Sequence, residues 1–259
     1  MSTVAERIDA LSVDLFSAIP SQTSIATRRS LLAIQRATAR RHPEFAYLEI
    51  GSYLGGSIQP YLLDTRCRAI YSIDPRPGRQ ADDRAPGYSR VYTDNSTQRM
   101  LELLRETDSA QAGKVSCFEM DASRVDPARI TMRPQVAFID GEHTVRAVLS
   151  DFAFCLGVLG EGGTVVFDDF SIVYPAVLTI CRSLKRERRR FVAARLEGKI
   201  FAIFFDAENV RLDPFLFRCR SRRRFSLTRY RVKLWLKGLL PGPVGTFARS
   251  IRREMKLPP

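Results

Sequence analysis

Several things are scarce in this 259-residue chain, and each scarcity narrows its chemistry. No apolar run approaches the roughly 18 residues that a membrane span requires. The first residues, MSTVAERIDALSVDLF, carry acids early and no long apolar segment, so they do not read as a signal peptide. The five cysteines (67, 117, 155, 181 and 219) are odd in number, scattered and without a C-x-x-C pair. They read as reduced thiols of a cytoplasmic protein, and exclude both a disulfide framework and a cysteine zinc site. G-x-G-x-x-G is missing, which disfavours a nicotinamide dinucleotide. There are only two histidines. His42, before Pro43 at an expected helix end, is assigned no role, whereas His143 follows a buried-looking run in PQVAFIDGEHTVRAV.

What is abundant is positive charge, and it is localised. Of the net +13, the segment 214–259 carries +12, from thirteen Lys or Arg against Glu254. The preceding 213 residues hold 28 basic and 27 acidic side chains and are close to neutral. The chain therefore divides into N-terminal helices (1–44), a body (45–213) and a basic amphipathic extension (214–259).

The pattern of apolar residues indicates the body's fold. Two amphipathic stretches, Val4–Ser17 and Ser24–Arg40, come first. Short apolar runs then recur at Ala46–Ile50, Ala69–Ile73, Val115–Phe118, Val136–Ile139 and Thr164–Phe167. Between and after them lie helix-like segments at Gln59–Leu63, Ser96–Arg105, Thr144–Leu156 and Pro175–Arg188. Near-continuous apolar strands alternating with helices predict an α/β fold, a parallel sheet covered on both faces. RFVAARL and KIFAIFF, joined by EGK, predict a closing hairpin. The polar stretch Arg76–Gly87 reads as a surface loop rather than a lid.

In such a sheet ligands bind beyond the carboxyl ends of the strands. All five expected ends carry acid: Glu49, Asp74, Asp121, Asp140 with Glu142, and Asp168 with Asp169. Helix capping explains one or two of these, but a shared polar site explains all five better. YLEIGSYLGGS (47–57) is a glycine-bearing strand-to-helix turn. Gly51 and Gly55 permit close backbone approach, and an acid at the next strand end, Asp74, can accept from both hydroxyls of a ribose.

Together these motifs, with MDAS after the third strand, resemble the S-adenosylmethionine (SAM) site of class I methyltransferases. FIDGEHTVRAVLSDF and LGEGGTVVFDDF are similar to the branch with macrocin-type sugar O-methyltransferases and cephalosporin-hydroxylase-like proteins. The resemblance spans about Phe45 to Asp206 and implies a Rossmann-like, seven-stranded, mostly parallel sheet with an antiparallel C-terminal hairpin. It also implies that Glu49, Gly51, Ser52, Gly55 and Ser57 line the methionine and ribose side of SAM. Asp74 would hold the ribose, and Asp121 and Ala122 would meet the adenine.

Asp140 and the Asp168–Asp169 pair flank one βαβ crossover, which predicts neighbouring strands and three convergent carboxylates. Like charges so placed repel unless a cation joins them, and an oxygen-only set suits Mg²⁺ or Mn²⁺. A metal-bound sugar hydroxyl is acidified and aimed, leaving Glu142 or His143 to take its proton. Related enzymes often carry Asp where this chain has Glu142, so the base stays open between the two.

The expected activity is thus a SAM-dependent, Mg-assisted O-methyltransferase acting on a sugar or glycoconjugate hydroxyl. In the extension, Arg229, Lys233 and Lys237 form one helical stripe and Val232, Trp235, Leu236 and Leu239 another. Such a helix suits an anionic membrane surface, here the inner face, although packing on the body or on a second subunit weighs equally. Alternatives are an RNA methyltransferase gripping through the extension, and a non-catalytic membrane-docking protein. The RNA reading is disfavoured, because neither an N-P-P-Y-type motif nor an RNA-binding module is present.

Overall fold

The computed structural model describes residues 2–85, 87–222 and the single residue Val232. The elements are α1 (Val4–Asp9), α2 (Ile25–Arg41), β1 (Phe45–Ile50), α3 (Gln59–Leu63), β2 (Cys67–Ile73), β3 (Arg79–Ala81), β4 (Ser89–Val91) and α4 (Thr97–Thr107). They continue with β5 (Val115–Phe118), β6 (Val136–Ile139), α5 (Val145–Val158), β7 (Thr164–Phe167), α6 (Phe170–Arg186), β8 (Val192–Arg195), β9 (Phe201–Phe204), α7 (Ala207–Leu212) and α8 (Pro214–Arg222).

The main sheet has seven strands in the order β5-β2-β1-β6-β7-β9-β8. The first five are parallel, and β9 runs antiparallel between β7 and β8. This is the expected Rossmann-like sheet with its antiparallel close. From β1 the chain winds outward through β2 to β5, then returns to the other side of β1 for β6 and β7. The order therefore reverses between β1 and β6, and a crevice opens at their carboxyl ends.

Strand residues alternate between two hydrophobic cores. Leu48, Ile50, Ile139 and Phe167 point to α5 and α6. Tyr47, Phe138, Val166 and Phe204 point to a core shared with the N-terminal helices through Ile8, Phe16, Leu31 and Ile34. Each such side chain contributes roughly 1.5–3 kcal/mol on burial. Segment 1–44 is also tied to the far end of the body, because the buried Asp213 accepts from Arg36 Nε at 2.7 Å and Nη2 at 2.9 Å. At the head of the extension, Phe215, Leu216 and Cys219 of α8 are buried in that same core. The stripes expected further along lie outside the described residues except Val232, which is half exposed. Among the described residues, no helix is long and apolar enough to cross a membrane.

Two local features depart from the sequence pattern. α6 begins at Phe170 rather than Pro175, and the proline lies inside the helix. Phe170 is fully buried against Phe201, and Ile172 N–H and Val173 N–H donate to the Asp169 carbonyl, so tertiary packing starts the helix before its proline. The stretch expected as a plain surface loop, Arg76–Gly87, contains β3, which pairs with β4 just beyond it in an antiparallel hairpin that reaches the crevice.

Candidate active site

The strand ends are brought into line by the ladder itself. Gly51 N–H donates to Ile73 O, Asp74 N–H to Phe118 O, Asp140 N–H to Ile50 O and Asp168 N–H to Ile139 O. Gly51 has φ +86°, and a β-carbon there would collide with the Asp140 carbonyl and Gly141. Only glycine lets the turns after β1 and β6 cross this closely.

Two cavities flank Gly51. The tighter, of about 60 Å³, is bordered by Ser52, Ser57, Asp140, His143, Asp168, Asp169 and Lys199. Its roof is the N-terminal stretch Pro20–Thr23, with Arg90 and Tyr92 from the hairpin. The other, of about 300 Å³, is bordered by Asp121, Ala122, Gly141, Glu142 and Asp151. Gly51 borders both, so an elongated ligand can lie across it.

The tighter cavity holds a dense carboxylate network. His143 Nε2 is 3.4 Å from Asp140 Oδ1, and Nδ1 is 3.4 Å from Asp82 Oδ2 and 3.7 Å from Asp169 Oδ2. Asp82 comes from the hairpin, which docks through Asp83 N–H on the His143 carbonyl at 3.1 Å and Val145 N–H on Asp83 Oδ2 at 3.0 Å. Arg84 donates to both Asp82 oxygens at 2.9 and 2.7 Å, and Lys199 Nζ lies 2.6 Å from Asp169 Oδ1. Asp140, Asp168 and Asp169 thus share one cavity. Among the described residues, however, the acid–imidazole set whose ligand atoms all lie within 4.8 Å of one another is Asp82, His143 and Asp169. Asp168 Oδ1 and His143 Nε2 are buried and make no hydrogen bond.

Electrostatics follow from that crowding. Burial, then Asp140 and Asp169, hold Asp168 up to about 8. Burial also raises Asp140. For His143 burial acts downward, but Asp140, Asp169 and Asp168 outweigh it and raise the imidazole to about 9. Asp169 adopts a left-handed backbone, φ +42°, at the head of α6, and its side chain makes no cap bond. Such a conformation in a non-glycine residue costs on the order of 1–3 kcal/mol and is typical of functional sites.

On the cofactor side the expected residues occupy three situations. Glu49 is fully buried, accepts from Tyr47 Oη at 2.8 Å and from Ser57 Oγ, and is raised by burial to about 8. Ser52 accepts from Ser72 at 2.8 Å, while Gly55, at φ +82°, packs against Met100 and Leu104. Asp74 stands at the end of β2 but borders neither cavity. Its carboxylate accepts from Tyr53 N–H at 3.0 Å and Arg76 N–H at 2.8 Å, with the Arg76 guanidinium 3.4 Å away. Asp121 and Ala122 border the larger cavity, as does Glu142, which accepts from Thr144 Oγ1 at 2.7 Å. Glu142 and His143, neighbours in sequence, therefore face different cavities.

Asp82, Arg84, Arg90, Tyr92, Lys199 and Asp151 were not anticipated as site residues. The adjacent acids of QADDRAP were the available signal for Asp82, and nothing local marked Lys199.

A methyltransferase-domain family model matches residues 48–170. A search of curated proteins finds no similar sequence. Among solved structures, the O-methyltransferase NovP is similar with a TM-score of 0.58 at 13% identity, over 77% of this chain and 98% of that one. CalS11, a calicheamicin methyltransferase, is similar with a TM-score of 0.52 at 13% identity, over 77% and 91%. Its apo form, described as a TDP-rhamnose 3'-O-methyltransferase, gives 0.50 at 14% identity, over 78% and 92%. At such identities the structural likeness concerns the fold, and the family match concerns the domain that contains the crevice. Residues 48–170 match a methyltransferase-domain model, and the chain has the Rossmann-like fold of these O-methyltransferases.

Proposed function

We propose that the protein is a SAM-dependent O-methyltransferase acting on a hydroxyl of a sugar or glycoconjugate, with His143 as the base. The observation that carries this reading is the His143 imidazole. It is buried among carboxylates, with Nδ1 3.4 Å from Asp82 Oδ2 and Nε2 3.4 Å from Asp140 Oδ1 at the wall of the tighter cavity. With one proton held on Nδ1 toward Asp82, loss of the Nε2 proton that faces Asp140 would leave the Nε2 lone pair as the acceptor for a hydroxyl proton. Glu142 is less suited, because it faces the other cavity. CalS11, described as a TDP-rhamnose 3'-O-methyltransferase of calicheamicin biosynthesis, is the fold neighbour that supports a sugar-bearing acceptor.

The donor would lie across Gly51. Its methionine end would be at Ser52 and Ser57 above Glu49, and its adenine end in the larger cavity at Asp121 and Ala122. Asp74, held by Arg76, would reach the ribose only after that contact loosens. When bound, SAM supplies an activated methyl group, and a divalent cation supplies positive charge that acidifies the acceptor hydroxyl. The residues present fit such a cation at Asp140 and Asp168, because Asp168 Oδ1 is a hard, buried oxygen that makes no hydrogen bond. Asp169 is already balanced by Lys199 and serves as a weaker third ligand. Among its neighbours, Asp140 does most to keep the proton on His143, so a cation held by that carboxylate would weaken this hold on the base. Titration calorimetry of the full-length protein with SAM, with and without Mg²⁺, tests the core. Saturable binding is expected, and no heat under either condition removes the proposal.

A further inference from the structure

We propose that the Asp151 carboxyl group recognises the adenine ring of the cofactor, reading its amine and an adjacent ring nitrogen together. The inference rests on the SAM reading above and adds a residue to it.

Asp151 sits on the second turn of α5, is only 9% exposed, and borders the 300 Å³ cavity on which Asp121 and Ala122 also open. Among the described residues no hydrogen bond or ion pair reaches its carboxyl group. That is uncommon for a buried acid, since such groups almost always find a partner. The space before it is kept open by Gly141, where an added β-carbon would stand 3.7 Å from Asp151 Oδ2. The groups facing it are Asp121 from the turn after β5, Glu142 from the β6–α5 turn, Arg79 from β3 and Cys155 one turn along α5. Burial, then Asp121 and Glu142, favour the uncharged carboxyl and raise it to about 7.

A neutral carboxyl group carries one donor and one acceptor side by side. Adenine presents the complement, an amine that donates next to a ring nitrogen that accepts. The carboxamides of Asn and Gln exploit that match when they read adenine in DNA. That pairing is with the N7 edge, where a base with an oxo group in place of the amine presents two acceptors, so the carboxyl oxygen is left unpaired.

The test is calorimetry on the full-length protein with S-adenosylhomocysteine and with its inosine analogue, in which the amine is replaced by oxygen. Wild type should bind the adenine compound more tightly, and its affinity should fall as pH rises from 6 to 8.5. Asp151→Asn keeps one donor and one acceptor, so it should retain affinity within about threefold and lose the pH dependence. Asp151→Ala should weaken binding about ten- to a hundredfold and lose the preference between the two bases. Thermal melts of both variants establish that they fold. An alanine variant that binds and discriminates like wild type overturns the assignment, as does an asparagine variant as weak as alanine. Wild type that binds neither compound overturns the SAM reading itself, and this proposal with it.

Discussion

The fully buried Glu49 leads to a testable dependence of stability on pH. Its carboxyl group accepts from Tyr47 and Ser57, faces no cation, and is raised from 4.5 to about 8 chiefly by burial. Without ligand, the folded protein keeps a proton on Glu49 that the unfolded chain loses near pH 4.5. The unfolded state therefore binds fewer protons between these values, and stability falls as pH rises. The penalty is absent below pH 4.5, grows through neutrality and levels off above about 8. At ~1.4 kcal/mol per pH unit, the interval from pH 5 to 8 amounts to at most ~4 kcal/mol. For a chain of this size, each kcal/mol moves the melting temperature by about 2–4 °C, so the largest expected drop is about 8–16 °C. Glu49→Gln removes the titration while keeping one donor and one acceptor for the two hydroxyls. The assay is a set of thermal melts of ligand-free wild type and variant from pH 5 to 8.5. The variant should match wild type at pH 5 and exceed it at pH 8.5. Asp151 and Asp168 are raised in the same direction and remain in the variant, so its own slope is reduced rather than abolished. Parallel slopes for the two proteins would refute the reasoning.

Replacing His143 with Gln should lower kcat by about 10²–10⁴-fold while calorimetric affinity for S-adenosylhomocysteine stays unchanged. Asp168→Asn should weaken Mn²⁺ binding, followed by electron paramagnetic resonance, by more than about tenfold, since even outer-shell losses reach that size. Arg36→Ala leaves Asp213 charged and buried without its bidentate partner, and urea unfolding should show a loss of about 3–5 kcal/mol.

The sheet was legible because its signals are local. β5, β6 and β7 occupy the residues their apolar runs marked, and Ser96 and Thr144 cap the helices expected after them. Asp140, Asp168 and Asp169 could be placed at one edge because a βαβ crossover leaves neighbouring strands little choice of arrangement. What stayed hidden depends on distant partners. Arg76–Gly87 reads as polar loop, yet it supplies β3 of a hairpin whose docking on the β6–α5 turn brings Asp82 to His143. Lys199 precedes β9 in an unremarkable turn, and its ammonium meets Asp169 because β9 is inserted beside β7. No periodicity assigns Glu142 and His143 to separate cavities, since the turn that splays them has none.

The ceiling over His143 is drawn from a different stretch of chain than the cradle beneath it. Pro20–Thr23 is pinned by Gln59, whose amide both accepts from and donates to Ile19, and Gly56 leaves room for Ser21 to press against the glycine turn. On the proposed reading, this cover can change in evolution without disturbing the strand ends that would grip the methyl donor. Exchanging residues 20–23 should then shift acceptor KM while donor affinity holds steady, and a parallel loss of both would mean that cover and cradle are one unit. A lineage built this way can change what it decorates by rewriting a short strip near its beginning.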